Sequence, residues 1–184
     1  VTIIYDPPSV SGEGEHKIMD YIRALPEKER LESTHCMMSP DGDVIFLSLS
    51  AHVNKIHLLR ADTDDGKAGY YNLVNSTMLS NGLVRSLKQE YNIEKGARTA
   101  FDVSNDFVLI SYTLGCDFIP KIKMFHKLHE GLSKLFDIYI GASAQGYLLT
   151  NDNKILIDGF SRFVHNLSLS EDKYLAQQAL VTAP

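Results

Sequence analysis

Little in this sequence of 184 residues is typical of membrane, secreted or strongly basic proteins. No apolar run approaches the length of a membrane span and no signal peptide is visible, which predicts a protein with no membrane partner. The formal net charge is -5, so a chain coated in positive charge is excluded, while a local basic groove stays open as an alternative. Its two cysteines, Cys36 and Cys116, form neither a metal-binding pattern nor a disulfide framework. We therefore expect an intracellular protein, cytoplasmic or nuclear, whose cysteines are small core residues.

Repeats and low-complexity linkers are also missing, and the length suits one sizeable core. A phosphate-binding glycine loop and a nucleophile motif are absent as well, which argues against a small-molecule enzyme. Strand-like and helix-like apolar patterns alternate instead. This alternation predicts an α/β fold with a mainly parallel central sheet flanked by helices, becoming more helical after residue 120. The predicted strands are residues 2–5, 34–38 and 55–60, and the predicted helices begin near Glu15, Val44, Leu79 and Ser104.

Five acidic side chains follow predicted strands or a buried helix, where sheets of this kind form their sites. Each acidic pair alone is more typical of a turn or a helix start than of a ligand set. Together they would repel, since two unit charges about 4 Å apart cost roughly 4 kcal/mol at an effective dielectric near 20. A divalent cation removes that penalty, and oxygen ligands suit Mg²⁺ or Mn²⁺, which favours metal-assisted phosphodiester chemistry. The five acids are Glu13, Glu15, Asp41, Asp43 and Asp117.

The segments around these acids resemble a known family. They read "SGEGEHKIMDYIR", then "HCMMSPDGDVIFLSLSAH" followed by "HLLR", then "NDFVLISYTLGCDFIP". In the same order and at similar spacing they resemble three signature blocks of the XRN family of 5'-3' exoribonucleases, within the flap-endonuclease-like, PIN-type nucleases. The resemblance extends to about residue 174. It implies that the catalytic residues, which are also the metal ligands, are Glu13, Glu15, Asp41, Asp43 and Asp117.

The resemblance also implies parts that this sequence does not contain. The family's first acidic ligands, the basic pocket for the 5'-monophosphate and the histidine that stacks on the first base belong to an amino-terminal half. We therefore expect residues 1–184 to be a partial XRN-type nuclease domain, with a metal-binding α/β part at 1–120 and a mostly helical extension at 121–184. Its expected partner is that amino-terminal half, in the same or another chain. Within the matched blocks the acids are retained, while the family's usual residues are replaced by Ser11, Gly42, Cys116 and Lys121.

The implied activity is hydrolysis of 5'-monophosphorylated single-stranded RNA from its 5' end, with Mg²⁺ or Mn²⁺ as cofactor and two ions in the complete domain. His16 and Lys17 are expected to face the substrate, although an exposed helix face explains these residues nearly as well. The alternative is a non-catalytic remnant of the same fold that binds nucleic acid or acts as a scaffold. The enzyme is preferred because a protein freed from catalysis would have no physical reason to retain mutually repelling acids.

Other polar patterns receive structural interpretations. Asp106 is expected to pair with the start of the helix that Ser104 caps and that closes at Gly115. The acidic run at residues 62–66 is expected to be a turn. His126 and His129 have metal-like spacing but no third ligand nearby, so an exposed surface is expected there.

Overall fold

The computed structural model describes residues 1–53, 55–62, 69–91, 100–116, 119–125, 128–144, 149–151 and 153–182. It confirms an α/β fold, with a small mixed sheet and a larger share of helix. The chain divides into two compact units, Val1–Leu79 and Ser80–Pro184. The predicted PIN-like architecture and the partial nuclease domain, with its boundary at residue 120, stay predictions.

The first unit contains a three-stranded sheet in the order β1-β2-β3. β1 is parallel to β2, with Met38 opposite Leu59, whereas β2 is antiparallel to β3, with Leu58 opposite Val74. The expectation of a mainly parallel sheet is therefore wrong. Only residues 62–70 join β2 to β3, and a parallel return needs a crossover of about a dozen residues or more. The elements of this unit are α1 (Gly14–Ala24), α2 (Glu27–Glu32), β1 (His35–Met38), α3 (Asp43–Ser50), β2 (Ile56–Ala61) and β3 (Tyr71–Asn75).

The core of the first unit lies where two helices cover the sheet. On α1, the helical spacing of Met19 and Ile22 buries both side chains, and the helix ends at Ala24 before an extended Leu25 and Pro26. The same buried cluster includes Val44 from α3. In β1 only Met37 is buried, so its neighbour Cys36 is exposed, and the expectation that both cysteines are core residues is wrong for Cys36.

The segment before α1 does not form the strand expected at residues 2–5. Residues 1–7 have no regular structure, and Ile3 and Ile4 are 87% and 64% exposed. Their β-branched apolar pattern favours a strand only when a neighbouring strand accepts its backbone hydrogen bonds. Among the described residues, no strand pairs with this segment.

The second unit is built from long helices around a separate core. Its central side chains include Ile110, Phe125, Leu135, Tyr139 and Phe163, all buried. The helical character predicted for the carboxyl-terminal part is confirmed by α6 and α7. The remaining elements are α4 (Ser76–Tyr91), whose amino-terminal turn lies in the first unit, α5 (Ala100–Ser111), a 3-10 turn (Tyr112–Leu114), α6 (Leu128–Ala144), β4 (Thr150–Asn151), β5 (Lys154–Ile155) and α7 (Ile157–Thr182).

The interior of α5 corrects two sequence interpretations. Ser104 does not cap this helix: α5 begins at Ala100, and Ser104 lies buried inside it, donating to the Ala100 carbonyl at 2.8 Å. Asp106 is likewise inside the helix and fully buried, so it does not pair with a helix start. The predicted end near Gly115 is confirmed, since this residue follows the 3-10 turn with φ +93°. A sequence pattern locates an apolar helix well but places its first turn less well.

Three further predictions lie at least partly outside the described residues. These are the turn at residues 62–66, of which only Asp62 is described, and the surface histidines His126 and His129, whose side chains are not described. In the described segments, every helix falls short of the combined length and apolarity that a membrane span requires.

Candidate metal centre

A short segment of residues 39–42 leads from β1 into α3 and carries the predicted acid Asp41, with Asp43 directly after it as the first residue of α3. Ser39 is buried, with 9% of its surface exposed, and Asp41 after it is exposed. The Ser39 hydroxyl donates to Glu15 Oε1 at 2.8 Å and accepts the backbone N–H of Asp41 at 3.2 Å. One side chain thus joins the first turn of α1 to the turn that follows β1.

Hydrogen bonds hold the pKa of Glu15 below its ordinary value. The Ser39 hydroxyl makes the largest contribution, and the backbone N–H of Glu15 follows. Partial burial opposes this effect by raising the pKa, whereas the charge of His16 lowers it further. The Glu15 carboxyl is therefore ionised at neutral pH and lies beside that of Asp41.

The other two predicted ligands of the first unit, Glu13 and Asp43, are close in sequence to Glu15 and Asp41 but lie in different surroundings. Glu13 is the exposed N-cap residue of α1, and its Oε2 lies 3.2 Å from Nδ1 of His16. Gly12 before it has φ +102°, a backbone conformation that favours glycine, whereas Gly14 already belongs to the helix. Asp43 is the exposed first residue of α3, where the helix dipole favours an acid.

The two residues predicted to face the substrate both have partners within the chain. His16 pairs with Glu13, as described above. Lys17 Nζ donates to the Val10 carbonyl at 2.7 Å and lies 3.4 Å from Asp6 Oδ1. These contacts hold the segment before α1 against the helix, so the substrate-facing role of both residues stays a prediction.

The carboxylate oxygens of Glu15 and Asp41 are the type of ligand that a hard cation prefers, but these are only two side chains. The fifth predicted acid, Asp117, lies outside the described residues. Within the described part of the chain, no three acidic, histidine or cysteine side chains lie close enough to hold a metal ion. Glu15 and Asp41 supply carboxylate oxygens next to solvent, and Mg²⁺ typically uses one or two carboxylates together with water and substrate oxygens.

Two residues that shape this site were missed by the sequence interpretation. One is Ser39, and the other is Arg60, whose Nη2 donates to the Pro40 carbonyl at 2.6 Å. The parallel register, which places Met38 opposite Leu59, brings Arg60 beside the start of the Ser39 segment. Pairing the predicted strand 34–38 with the "HLLR" strand could have revealed this neighbourhood, whereas nothing in the sequence indicates the contact between Ser39 and Glu15.

The comparison with known proteins bears on this same part of the chain. Residues 1–62 match the family described as XRN 5'-3' exonuclease N-terminus. The protein named 5'-3' exoribonuclease 1 of Saccharomyces cerevisiae is 32% identical over 149 residues, covering 71% of this chain and 9% of that protein. Its human namesake is 27% identical over 181 residues, covering 91% and 11%. The Schizosaccharomyces pombe protein of the same name is 28% identical over 169 residues, covering 80% and 12%.

These similarities concern the same part of the chain as the site. The matched residues 1–62 include Glu13, Glu15, Asp41 and Asp43, so the site described above lies in a region characteristic of XRN nucleases. The resemblance read from the sequence is confirmed in these terms: residues 1–62 match the XRN exonuclease N-terminus, and relatives named 5'-3' exoribonuclease match most of the chain at moderate identity. It spans between 9% and 12% of the length of these three relatives.

Proposed function

We propose that this chain is part of a divalent-metal-dependent 5'-3' exoribonuclease, which hydrolyses phosphodiester bonds from the 5' end of RNA. The relatives with this printed name support the proposal, since they match most of the chain. The observation that carries it is the Ser39 hydroxyl, which donates to Glu15 Oε1 and accepts the Asp41 backbone N–H, so that these two acids lie close together after β1. Two acids in contact are electrostatically unfavourable, and a bound cation would relieve that repulsion.

The acids of the matched blocks would hold Mg²⁺ or Mn²⁺. Glu15 and Asp41 are the ligands that the contacts support best, and the remaining three acids complete the proposed catalytic and metal-binding set. When bound, two such ions supply charge for the attacking and leaving oxygens of the phosphodiester. The full set is Glu13, Glu15, Asp41, Asp43 and Asp117.

The described residues contribute orientation and charge to this chemistry. Ser39 fixes the direction of the Glu15 carboxylate by donating to its Oε1, and the same hydrogen bond lowers the pKa of that carboxyl group. His16 and Lys17, on the same first turns of α1, would face the RNA once their contacts with Glu13 and Asp6 are exchanged for phosphate.

Selection of the 5'-monophosphorylated end needs groups beyond the described site. We propose that an amino-terminal half of the nuclease domain, in the same or another chain, supplies the remaining acids and the 5'-phosphate pocket. Positioning of the phosphate and charge stabilisation provide most of the rate in such reactions. A reducing compartment, the cytoplasm or the nucleus, would suit a chain with two unpaired cysteines.

The direct test compares the chain alone with the chain joined to the amino-terminal half of a relative. We expect very slow or no cleavage by the chain alone, and processive degradation of 5'-monophosphate RNA by the joined protein with Mg²⁺. The 5'-hydroxyl RNA should be a poor substrate. In the joined protein, Glu15→Gln and Asp41→Ala should each reduce the rate roughly 100-fold or more.

The matched control is Glu27→Gln, which removes another first-turn glutamate, from the exposed α2, and should leave the rate unchanged. Robust degradation by the chain alone would show that no amino-terminal half is needed. Equal rates for the Glu15 and Glu27 variants would remove the acidic pair from the mechanism.

The second candidate function is a non-catalytic remnant that binds nucleic acid or acts as a scaffold. One observation favours it: the described residues bring together two acids and no third. A folded joined protein that binds RNA in a filter assay without degrading it would support this alternative over the enzyme.

A further inference from the structure

Ser39 occupies an unusual place for a small polar residue. It is buried at the end of β1, and its hydroxyl contacts two residues that are both predicted ligands. Glu15 precedes it by 24 residues, whereas Asp41 follows it by two. The contact therefore connects two parts of the site that lie far apart in sequence.

The Ser39 hydroxyl is a hydrogen-bond donor to one residue and a hydrogen-bond acceptor from the other. Its single O–H donates to Glu15 Oε1 at 2.8 Å. One of its oxygen lone pairs accepts the Asp41 N–H at 3.2 Å. The first bond sets the direction of the Glu15 side chain, and the second sets the backbone from which the Asp41 side chain projects.

The backbone around Ser39 is itself restrained. Pro40 confines the preceding residue to extended conformations, since the proline ring would clash with a helical Ser39. Arg60 of β2 holds the Pro40 carbonyl at 2.6 Å. β1, which ends at Met38, restrains the backbone on the other side of Ser39, so the side chain projects from a backbone held at both ends.

We infer that Ser39 is a positioning residue that holds the Glu15 and Asp41 carboxylates in a geometry ready for a divalent cation. The inference rests on the proposed function for the identity of the ligand, whereas the geometry of the pair stands on the contacts alone. Ser39 acts through its two neighbours and does not itself bind the ion. Groups that orient metal ligands commonly change metal affinity by roughly 10–100-fold when they are removed.

The test measures Mn²⁺ binding by isothermal titration calorimetry on the full chain. Ser39→Ala should weaken binding roughly 10–100-fold, and Ser39→Thr, which retains a hydroxyl, should recover most of the affinity. The matched control is Ser48→Ala in α3, another buried serine, whose hydroxyl donates to the Ile45 carbonyl of its own helix. This variant should bind Mn²⁺ as tightly as the unaltered chain, and equal affinity of the Ser39→Ala and Ser48→Ala variants would overturn the inference.

A second measurement, in chelator, separates the geometry from the metal. The Asp41 amide should exchange its hydrogen faster in Ser39→Ala than in the unaltered chain, and not faster in Ser48→Ala, because only the first change removes its acceptor. Unchanged Asp41 exchange in Ser39→Ala would overturn the positioning role even if Mn²⁺ binds. Slow exchange that depends on Ser39, in a chain that binds no Mn²⁺, would support the positioning and contradict the proposed metal dependence.

Discussion

Asp106 and Glu15 both accept hydrogen bonds from hydroxyl groups, but Asp106 is buried and Glu15 lies next to solvent. This difference in burial suits different roles. Asp106 is fully buried in the second unit and accepts from Tyr139 at 2.7 Å and from Thr150 at 2.5 Å. Glu15 is only partly buried and accepts from Ser39 next to the exposed Asp41. A buried acid held by neighbouring hydroxyls stabilises packing, whereas an acid beside solvent and a second acid is available to a cation.

The lowered pKa of Glu15 predicts how acid affects folding in the absence of metal. The folded chain binds fewer protons at Glu15 than the unfolded chain, so this contribution to the free energy of unfolding increases with pH. It is fully present above the ordinary glutamate pKa of about 4.3 and is lost as the pH falls through the lower folded value. Urea unfolding in chelator between pH 7 and pH 2 should therefore show a shallower loss of stability in Ser39→Ala and in Glu15→Gln. Glu27→Gln should keep the pH dependence of stability of the unaltered chain. If Ser39→Ala shows the same pH dependence as Glu27→Gln, this explanation is wrong.

The buried carboxylate predicts a stability effect with no link to metal. Asp106→Ala should destabilise the chain by about 1–3 kcal/mol, because the buried Tyr139 hydroxyl loses its hydrogen bond to Asp106, whereas Thr150 Oγ1 can still donate to the Asp102 carbonyl at 3.3 Å. Tyr139→Phe should cost about 1–3 kcal/mol, and the two changes should be non-additive in a double-mutant cycle. Urea unfolding measures both, with the exposed Asp137→Ala on α6 as control, expected within about 0.5 kcal/mol of the unaltered chain. Full additivity would show that the hydrogen bond carries no coupling energy.

At the scale of elements, the sequence predicted what depends on local periodicity and missed what depends on distant partners. The helix of Met19 and Ile22 and the strands β1 and β2 were expected from their apolar spacing. β3 was not expected, since four of its residues, Tyr71, Asn72, Leu73 and Val74, show no clean alternation and the strand exists through its pairing with β2. The strand expected at residues 2–5 failed for the converse reason: it has the pattern but no neighbour among the described strands.

In the candidate site, too, some features can be predicted from the local sequence and others depend on residues distant in sequence. The acids were proposed from residue type and from the family resemblance, and their role as ligands stays a prediction. Asp41 and Asp43 do follow β1, whereas the strand expected before Glu13 and Glu15 does not form. That Glu15 and Asp41 meet, while Glu13 pairs with His16, depends on side-chain directions that no local pattern fixes. Asp106 was misread because the helix begins at Ala100, four residues before the serine that looked like its cap.

The end of the helical segment α5 offers a matched pair of glycine substitutions. Gly115 has φ +93°, and a Cβ there would lie 2.8 Å from Lys121 Cα, so Gly115→Ala should destabilise the chain by about 1–3 kcal/mol or more. Gly82 lies inside α4 with nothing within 4 Å of its added Cβ, so Gly82→Ala should stabilise by about 0.5–1 kcal/mol. Opposite shifts in melting temperature are the expected result. A neutral Gly115→Ala would mean that the turn after the 3-10 segment relaxes freely.

At the scale of the whole molecule, the acidic balance bears on how the chain could meet a nucleic acid. It carries 23 acidic side chains against 18 lysines and arginines, and RNA is a polyanion. An acidic edge without a cation would repel phosphate, whereas the same edge with a divalent ion would attract it. The ion would thus serve recognition as well as chemistry, and both roles fail together if it does not bind.

Divalent cations should therefore stabilise the folded chain as a whole. A ligand that binds only the native form raises the free energy of unfolding by RT ln(1 + [L]/Kd), about 2.7 kcal/mol at 100 times Kd. We expect millimolar Mn²⁺ or Mg²⁺ to raise the melting temperature in calorimetry above that in KCl of equal ionic strength, which controls for charge screening. Glu15→Gln and Asp41→Ala should abolish most of this shift in melting temperature, and Glu27→Gln should retain it.

Asp43→Asn and Asp117→Asn test two of the remaining proposed ligands separately. Each substitution should reduce the shift, and a residue whose substitution leaves the shift unchanged is not a ligand. An unaltered chain whose melting temperature does not respond to either ion would leave the acidic pair without its proposed role.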